Sequence, residues 1–305
     1  MTELTLRTCA KVNFFLRVLG RRDDGRHNVE TILHNVGIWD RLRLRLLPGE
    51  EGVRLSVTGG EAPADESNLC YRAARLLADH TRAEHGVAIE LEKGIPVGSG
   101  LGGGSSDAAA TLLGLCRLWG VSPKPRELVE LAAALGSDVP FFLRGGCALA
   151  RGRGELVEPL PDVAAWVVIV VPERRVPTAQ AYAALGRGSA SGRRRPLSRA
   201  GRRAVEAVAA GDLGALAEAL HNDFEALRMP AIAEAMEAKA ELLAAGCLGA
   251  VLSGSGSAVF GIGPDRVSAE QAAARLAKRW PWVREAPTVK AGEGVVISDR
   301  EEERA

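Results

Sequence analysis

One stretch, Ile95–Thr111, constrains this chain more than any other; it reads IPVGSGLGGGSSDAAAT. Gly98, Gly100, Gly102, Gly103 and Gly104 crowd into it, followed by Ser105, Ser106 and an alanine-rich apolar run. The residues before it alternate, Val87, Ile89 and Leu91 on one face and Glu90 and Glu92 on the other, as a strand requires. Those after it, from Ala108 to Trp119, read as a helix, with Ser105 or Ser106 at the N-cap and Asp107 in the first turn. Glycines permit positive φ and close backbone approach, so successive N–H groups can converge on one anion. The helix start contributes its own unpaired N–H groups and the positive end of its dipole. Strand, glycine loop and helix start together read as a polyphosphate cradle.

Three other uses of such a loop can be weighed. The P-loop pattern GxxxxGK[ST] is absent, because no lysine follows these glycines. Gly98, Gly100 and Gly103 satisfy GxGxxG, but a dinucleotide site needs a second strand ending in an acidic residue roughly 20 residues on. LCRLWGVSPKP stands there, a helix end and a turn. A flexible linker would have neither the strand before nor the capped helix after.

The rest of the chain sets the frame. With 305 residues, two domains are expected. Apolar residues make up 47% of the chain, and no apolar run approaches the roughly 20 residues that span a bilayer. A net charge of +1 gives no global field that would favour nucleic acid or membrane. Cys9, Cys70, Cys116, Cys147 and Cys247 are scattered without CxxC spacing, which suggests reduced thiols rather than a disulfide frame or a zinc site. The N-terminus has the character of neither a signal nor a transit peptide, so a cytoplasmic protein is expected.

Residues 2–19 read as two short strands with Lys11 and Asn13 near the break, and GRRDDGRHN as a loop. Strands follow in VETILHNVGIWDRLRLRLL and VRLSVT, then an amphipathic helix from Asn68 to Thr81. After the cradle come a helix over Pro125–Leu135, a polar turn in LGSDVPFF leading into an apolar strand, and a hairpin over 146–160. The texture changes at EPLPDVAAW, which places a boundary near 160 and gives domains of 1–160 and 161–305. The second has a buried strand, WVVIVV, helices near 178–185, 200–210, 212–221, 230–245 and 268–280, and the strands AVLSG, AVFGI, WVREAPTV and GVVIS. Strands first and helices inserted late make the class α+β.

Taken singly, the remaining candidates stay open. Lys11 in CAKVN is a solvated strand-end lysine or a functional cation in an apolar neighbourhood. Asp138 is an Asx-turn residue or a general base for a hydroxyl proton. The run Ser253, Gly254, Ser255 and Gly256 is a hairpin turn or a second glycine loop whose bare backbone can approach phosphates. Protein histidines show no metal-ligand spacing, and the arginine-rich segment 187–203 reads as a surface loop rather than a nucleic-acid grip, since it lacks aromatics for stacking.

In order along the chain, AKVN, PVGSGLGGGSSDAA and LSGSGSAVF resemble the three motifs of the GHMP kinases. With GRRDDGRHN and LGSDVPFF, the resemblance extends to the branch that serves non-mevalonate isoprenoid precursor biosynthesis. It implies a two-domain fold, a ferredoxin-like C-terminal domain and a last strand that returns to the first domain. It also implies ATP with Mg²⁺, and phosphorylation of the 2-hydroxyl of a cytidylated methylerythritol. By position, Asp138 would be the base and Lys11 its cationic neighbour. Pro96, Gly98, Gly100, Leu101, Gly102, Gly103, Gly104, Ser105 and Ser106 would hold ATP, with Ser106 nearest the metal. Ser253, Gly254, Ser255 and Gly256 would lie near the phosphates. Asn13, His27, Thr178 and Tyr182 would contact substrate, Tyr182 stacking on cytosine and His27 reading its edge. The branch usually has Tyr where this chain has Arg26, so a guanidinium plane would have to cover the other ring face. The resemblance implies small-molecule partners only, in a monomer or weak homodimer. The competing readings are a GHMP kinase of another small alcohol and a non-catalytic or nucleic-acid-binding relative.

Overall fold

A computed structural model describes residues 2–83, 85–188 and 196–298. Its spine is an antiparallel pair of long strands, β1 (Glu3–Arg21) and β2 (His27–Leu47). Along β2, the first third pairs with β5 (Cys147–Gly152), the middle meets β11 (Trp282–Val289) at Asn35 and Val36, and the last third pairs with β4 (Gly86–Glu92). Outside these, β3 (Val53–Thr58) runs parallel to β4, and β6 (Leu156–Leu160) folds back on β5. Beyond β11 come β7 (Trp166–Val171), β10 (Val259–Gly263) and β9 (Gly249–Leu252), all antiparallel neighbours. The final strand, β12 (Val295–Ser298), pairs with β1, and the two-residue β8 (His221–Asn222) lies parallel to β1.

Helices α1 (Leu69–Thr81), α2 (Gly103–Leu118), α3 (Pro125–Leu135) and the one-turn α4 (Val139–Phe142) belong to the first half. The second half carries α5 (Thr178–Ala184), α6 (Arg199–Ala210), α7 (Leu213–Ala219), α8 (Pro230–Ala244) and α9 (Arg266–Leu276), with a one-turn 3₁₀ helix at Asp223–Ala226. There the strand order β9-β10-β7-β11, with α8 and α9 packed into one apolar layer on Val168, Val170, Val259 and Val283, is ferredoxin-like. The whole is a two-domain α+β fold.

Packing explains why α2 is rich in alanine and glycine. It lies so close to the spine that a Cβ on Gly114 would stand 2.6 Å from Leu44 and 2.9 Å from Leu6. A second core layer belongs to both halves, joining Ala10, Val12, Phe14 and Ile32 to Val167, Ile169, Val251 and Phe260.

Three local expectations are corrected. Residues 2–19 are one strand, not two: β1 runs through AKVN with register shifts at Cys9/Ala10, Asn13/Phe15 and Val18/Gly20. Such bulges re-aim side chains without ending a strand, which is how Lys11 and Asn13 come to be buried within it. The helix after the glycines starts at Gly103, and its N-cap is Gly102 at φ 77°, not Ser105 or Ser106. No side chain caps it, so its first N–H groups stay free for a ligand. Finally, Asp138 precedes no strand but heads the single turn α4, and β5 begins only after Gly145 and Gly146, both at positive φ. Residues 189–195 of the arginine-rich segment lie outside the described residues.

Candidate active site

A cavity of about 950 Å³ lies where the glycine stretch, β1, the start of α4, α5 and the β9–β10 turn meet. Pro96, Gly98, Gly100, Gly102, Gly103, Gly104 and Ser105 all line it. Leu101 and Ser106 do not. Leu101 is fully buried and its carbonyl accepts the Lys11 N–H at 2.9 Å. Ser106 is also fully buried; its hydroxyl donates to the Cys9 carbonyl at 2.6 Å and abuts Thr8 Oγ1. That geometry engages the hydroxyl expected nearest the metal with β1 rather than with the cavity. The helix begins earlier than the sequence suggested, which turns Ser106 inward and leaves Ser105 at the cavity.

Three motifs distant in sequence are joined through three side chains, Lys11, Asn13 and Ser253. Lys11 Nζ donates to Asn13 Oδ1 and to the Gly100 carbonyl, both at 2.7 Å. Asn13 Oδ1 also accepts the Gly254 N–H at 2.8 Å, and Ser253 Oγ donates to the Gly100 carbonyl at 3.0 Å. Asn13 is itself held by donating to Thr31 Oγ1 at 2.9 Å. Gly100 cannot be anything larger, because a Cβ there would meet the Ser253 carbonyl at 2.2 Å. Gly254 and Ser255 reach the cavity. Ser253 is buried behind them, and Gly256 faces Leu252 and Ile232 instead.

Asp138 Oδ2 stands 3.9 Å from Lys11 Nζ, with Lys11 buried and Asp138 part-exposed to the cavity. Burial pulls the Lys11 ammonium below the ordinary lysine range, and the negative charge of Asp138 opposes that pull. A carboxylate beside an ammonium that is otherwise fixed by neutral acceptors can take a proton from a hydroxyl placed between them.

In the same cavity the His27 and Tyr182 rings stack, centroids 4.9 Å apart and 29° between planes. Tyr182 is backed edge-on by Phe224. Burial, with Arg21 close by, lowers the His27 pKa, so its imidazole is neutral at pH 7 and offers one donor and one acceptor. Burial first, and then the charge of Asp138, push the Tyr182 phenol up, keeping it protonated. Thr178 reaches the same space, its Oγ1 3.0 Å from Ser255 Oγ. Arg26 lines the cavity beside His27.

Beneath the cradle lies a buried ionic group absent from the sequence reading. Lys93 Nζ donates to Asp107 Oδ2 at 2.7 Å and pairs with Asp40. Asp40 Oδ1 also accepts the N–H groups of Gly94 and Ile95 at 2.7 and 2.8 Å, which fixes the entry to the glycine loop. Burial and the charge of Asp40 raise the Asp107 pKa, with Lys93 opposing. The available signal was Lys93 itself, one of few lysines in an arginine-rich chain, placed directly between the strand and the glycines.

Models of the GHMP kinase N-terminal domain and the GHMP kinase C-terminal domain match residues 68–146 and 204–281. A 4-diphosphocytidyl-2-C-methyl-D-erythritol kinase of Gloeobacter violaceus is 41% identical over 279 residues, covering 91% of this chain and 91% of its own. The chain belongs to the GHMP kinases. A Symbiobacterium thermophilum protein of the same name is 44% identical, over 88% of this chain and 93% of its own. Among solved structures, a 4-(cytidine 5'-diphospho)-2C-methyl-D-erythritol kinase aligns with a TM-score of 0.75 at 36% identity, covering 93% and 98% of the two chains. Homoserine kinase from Cytophaga hutchinsonii aligns with a TM-score of 0.74 at 21% identity, covering 98% of each, and shares the fold. No helix among the described residues of this GHMP kinase is long and apolar enough to cross a membrane.

Proposed function

We propose that this kinase transfers the γ-phosphoryl group of ATP to the 2-hydroxyl of 4-diphosphocytidyl-2-C-methyl-D-erythritol, the compound in its relatives' names, in non-mevalonate isoprenoid synthesis. The observation that carries the mechanism is Asp138 at 3.9 Å from Lys11 in one cavity with the glycine cradle. The acceptor hydroxyl gives its proton to the Asp138 carboxylate as its oxygen bonds to the γ-phosphorus. The bond from that phosphorus to the β,γ-bridging oxygen breaks, and the electron pair leaves with ADP. Lys11 stabilises both the ionised Asp138 and the developing alkoxide. Asn13 holds Lys11 in place, and the N–H groups at the start of α2 hold phosphate oxygens.

Mg²⁺, when bound with the nucleotide, neutralises phosphate charge. The donors present fit an ion carried mainly by phosphate oxygens and water. Among the described residues no three His, Cys, Asp or Glu converge, and Ser105 is the cradle serine facing the cavity. His27, Tyr182 and Thr178 bind the cytidine end, with Arg26 in the position of a second stacking surface. The five free cysteines support a reducing, cytoplasmic setting.

ADP release should be measured with ATP, Mg²⁺ and a panel of acceptors: the cytidylated methylerythritol, free methylerythritol, homoserine and mevalonate. Turnover confined to the cytidylated compound is expected. Preference for another alcohol would move the protein to a different branch, the reading that Arg26 favours, and leave the phosphate chemistry standing.

A further inference from the structure

Five cationic side chains line the cavity among the described residues: Lys11, Arg21, Arg26, Lys93 and Arg153. The two lysines are enclosed by other partners. Lys11 gives two of its protons to Asn13 and Gly100 and turns toward Asp138. Lys93 is enclosed by Asp40 and Asp107. Arg21 donates to the Gly25 carbonyl at 3.4 Å, and Arg26 sits on the same turn next to His27, whose ring stacks on Tyr182. A phosphoryl group in transfer spreads negative charge over three equatorial oxygens and is stabilised by cations placed before the reaction. Of the three arginines, Arg153 is the one whose turn packs on the segment that carries Asp138.

Its placement fits. Arg153 lies in the turn between β5 and β6, and that turn packs on the Ser137–Asp138 segment: a Cβ on Gly154 would stand 3.3 Å from the Ser137 carbonyl. Across the same corner, Gly136 lies against Ser105 at the start of α2. The turn is held by Glu155, whose carboxylate accepts the Arg153 N–H at 2.7 Å and stands 3.7 Å from Nε. One Nη donates to the Ala133 carbonyl at 3.2 Å, and the residue lines the cavity. The side chain is only 23% exposed, so a bound anion would meet a charge that is largely out of water.

We propose that Arg153 is a catalytic residue of this kinase, binding the equatorial oxygens of the phosphoryl group as it passes from ATP to the acceptor. The proposal rests on the kinase reading above. Bond changes are those already written; Arg153 exchanges no proton and contributes charge and a planar donor fork.

The test compares wild type with Arg153→Ala, Arg153→Met and Arg153→Lys under saturating ATP, Mg²⁺ and cytidylated methylerythritol, with melting temperature as a check on folding. Arg153→Met keeps the aliphatic stem and removes the charge. The expected result is a fall in kcat on the order of 10²–10³ for Ala and Met, as for loss of one preorganised donor, with both KM values little changed. Lys should retain part of the rate, and added guanidinium should restore part of it to Arg153→Ala, which loss of a purely structural contact would not allow. Wild-type kcat in Arg153→Met overturns the proposal. So does a raised KM for the acceptor at unchanged kcat, which would assign Arg153 to the acceptor's diphosphate instead. A wild type that turns over none of the alcohols would overturn the kinase reading itself, a separate and recognisable outcome.

Discussion

At the scale of single residues, two titratable groups behave in opposite ways. Asp138 faces the cavity, and its proposed task is to accept a proton, so Asp138→Asn should leave the fold intact and lower kcat by roughly 10²–10⁴. ATP binding should be unchanged in a direct titration, and wild-type turnover in that variant would remove Asp138 from the role of base. His34 does no chemistry. It is buried in β2, donating from Nδ1 to the Asn35 carbonyl at 3.0 Å and accepting the Val163 N–H at Nε2 at 3.1 Å, so it ties the segment that links β6 to β7. Burial is the main cause that lowers its pKa from 6.5 to about 4. The fold therefore favours the neutral ring, and protonation would set two donors against each other at Val163. The stability this contributes is complete above the unfolded pKa of about 6.5 and is lost as pH falls toward 4, a loss of roughly 3 kcal/mol. Urea midpoints measured across that window should drop steeply for wild type and less so for His34→Gln. Parallel curves would show that His34 is not the group responsible.

At the scale of elements, the glycine loop makes a contrast that stability can read. Gly98 and Gly100 both have positive φ, 67° and 87°, yet a Cβ on Gly98 meets nothing within 4 Å while one on Gly100 meets the Ser253 carbonyl at 2.2 Å. Gly98→Ala should cost only the left-handed backbone penalty, about 1–2 kcal/mol. Gly100→Ala should cost clearly more, because the β9–β10 turn must move away from Lys11 and Asn13. Equal melting temperatures for the two variants would contradict the close contact. This pair also shows where the sequence was legible. The strand-loop-helix order around the glycines follows from local periodicity and backbone freedom, and most other elements from the same signals. Which glycine touches the third motif depends on a partner some 150 residues away, which no local pattern encodes. The same limit hid the Lys93 group and the inward turn of Ser106, since both depend on α2 starting at Gly103 without a side-chain cap. It also made β1 look like two strands: a polar Lys11 and Asn13 suggest a break, whereas bulges let one continuous strand bury them beside the cavity.

At the scale of the whole molecule, the two halves are not separable bodies joined by a tether. β12, from the end of the chain, pairs with β1, and β11 meets β2 at Asn35 and Val36. The shared apolar layer places Val12, Phe14 and Ile32 of the first half against Val167, Ile169 and Phe260 of the second. Phe14 and Phe260 approach to 6.0 Å between ring centroids, and neither has any exposed surface. Unfolding the second half alone would open that layer and leave large apolar side chains of β1 in water, at about 1.5–3 kcal/mol for each. It would also strip Asn13 and Gly100 of their partners at Gly254 and Ser253. Those costs exceed what an ordinary interdomain contact carries, so the halves should melt together. Calorimetry should give one transition with equal calorimetric and van't Hoff enthalpies, and a non-hydrolysable ATP analogue should move that transition upward as a unit. Two resolved transitions, with only one shifted by the nucleotide, would mean that the shared layer opens without unfolding β1, and that the three motifs assemble around the ligand rather than before it.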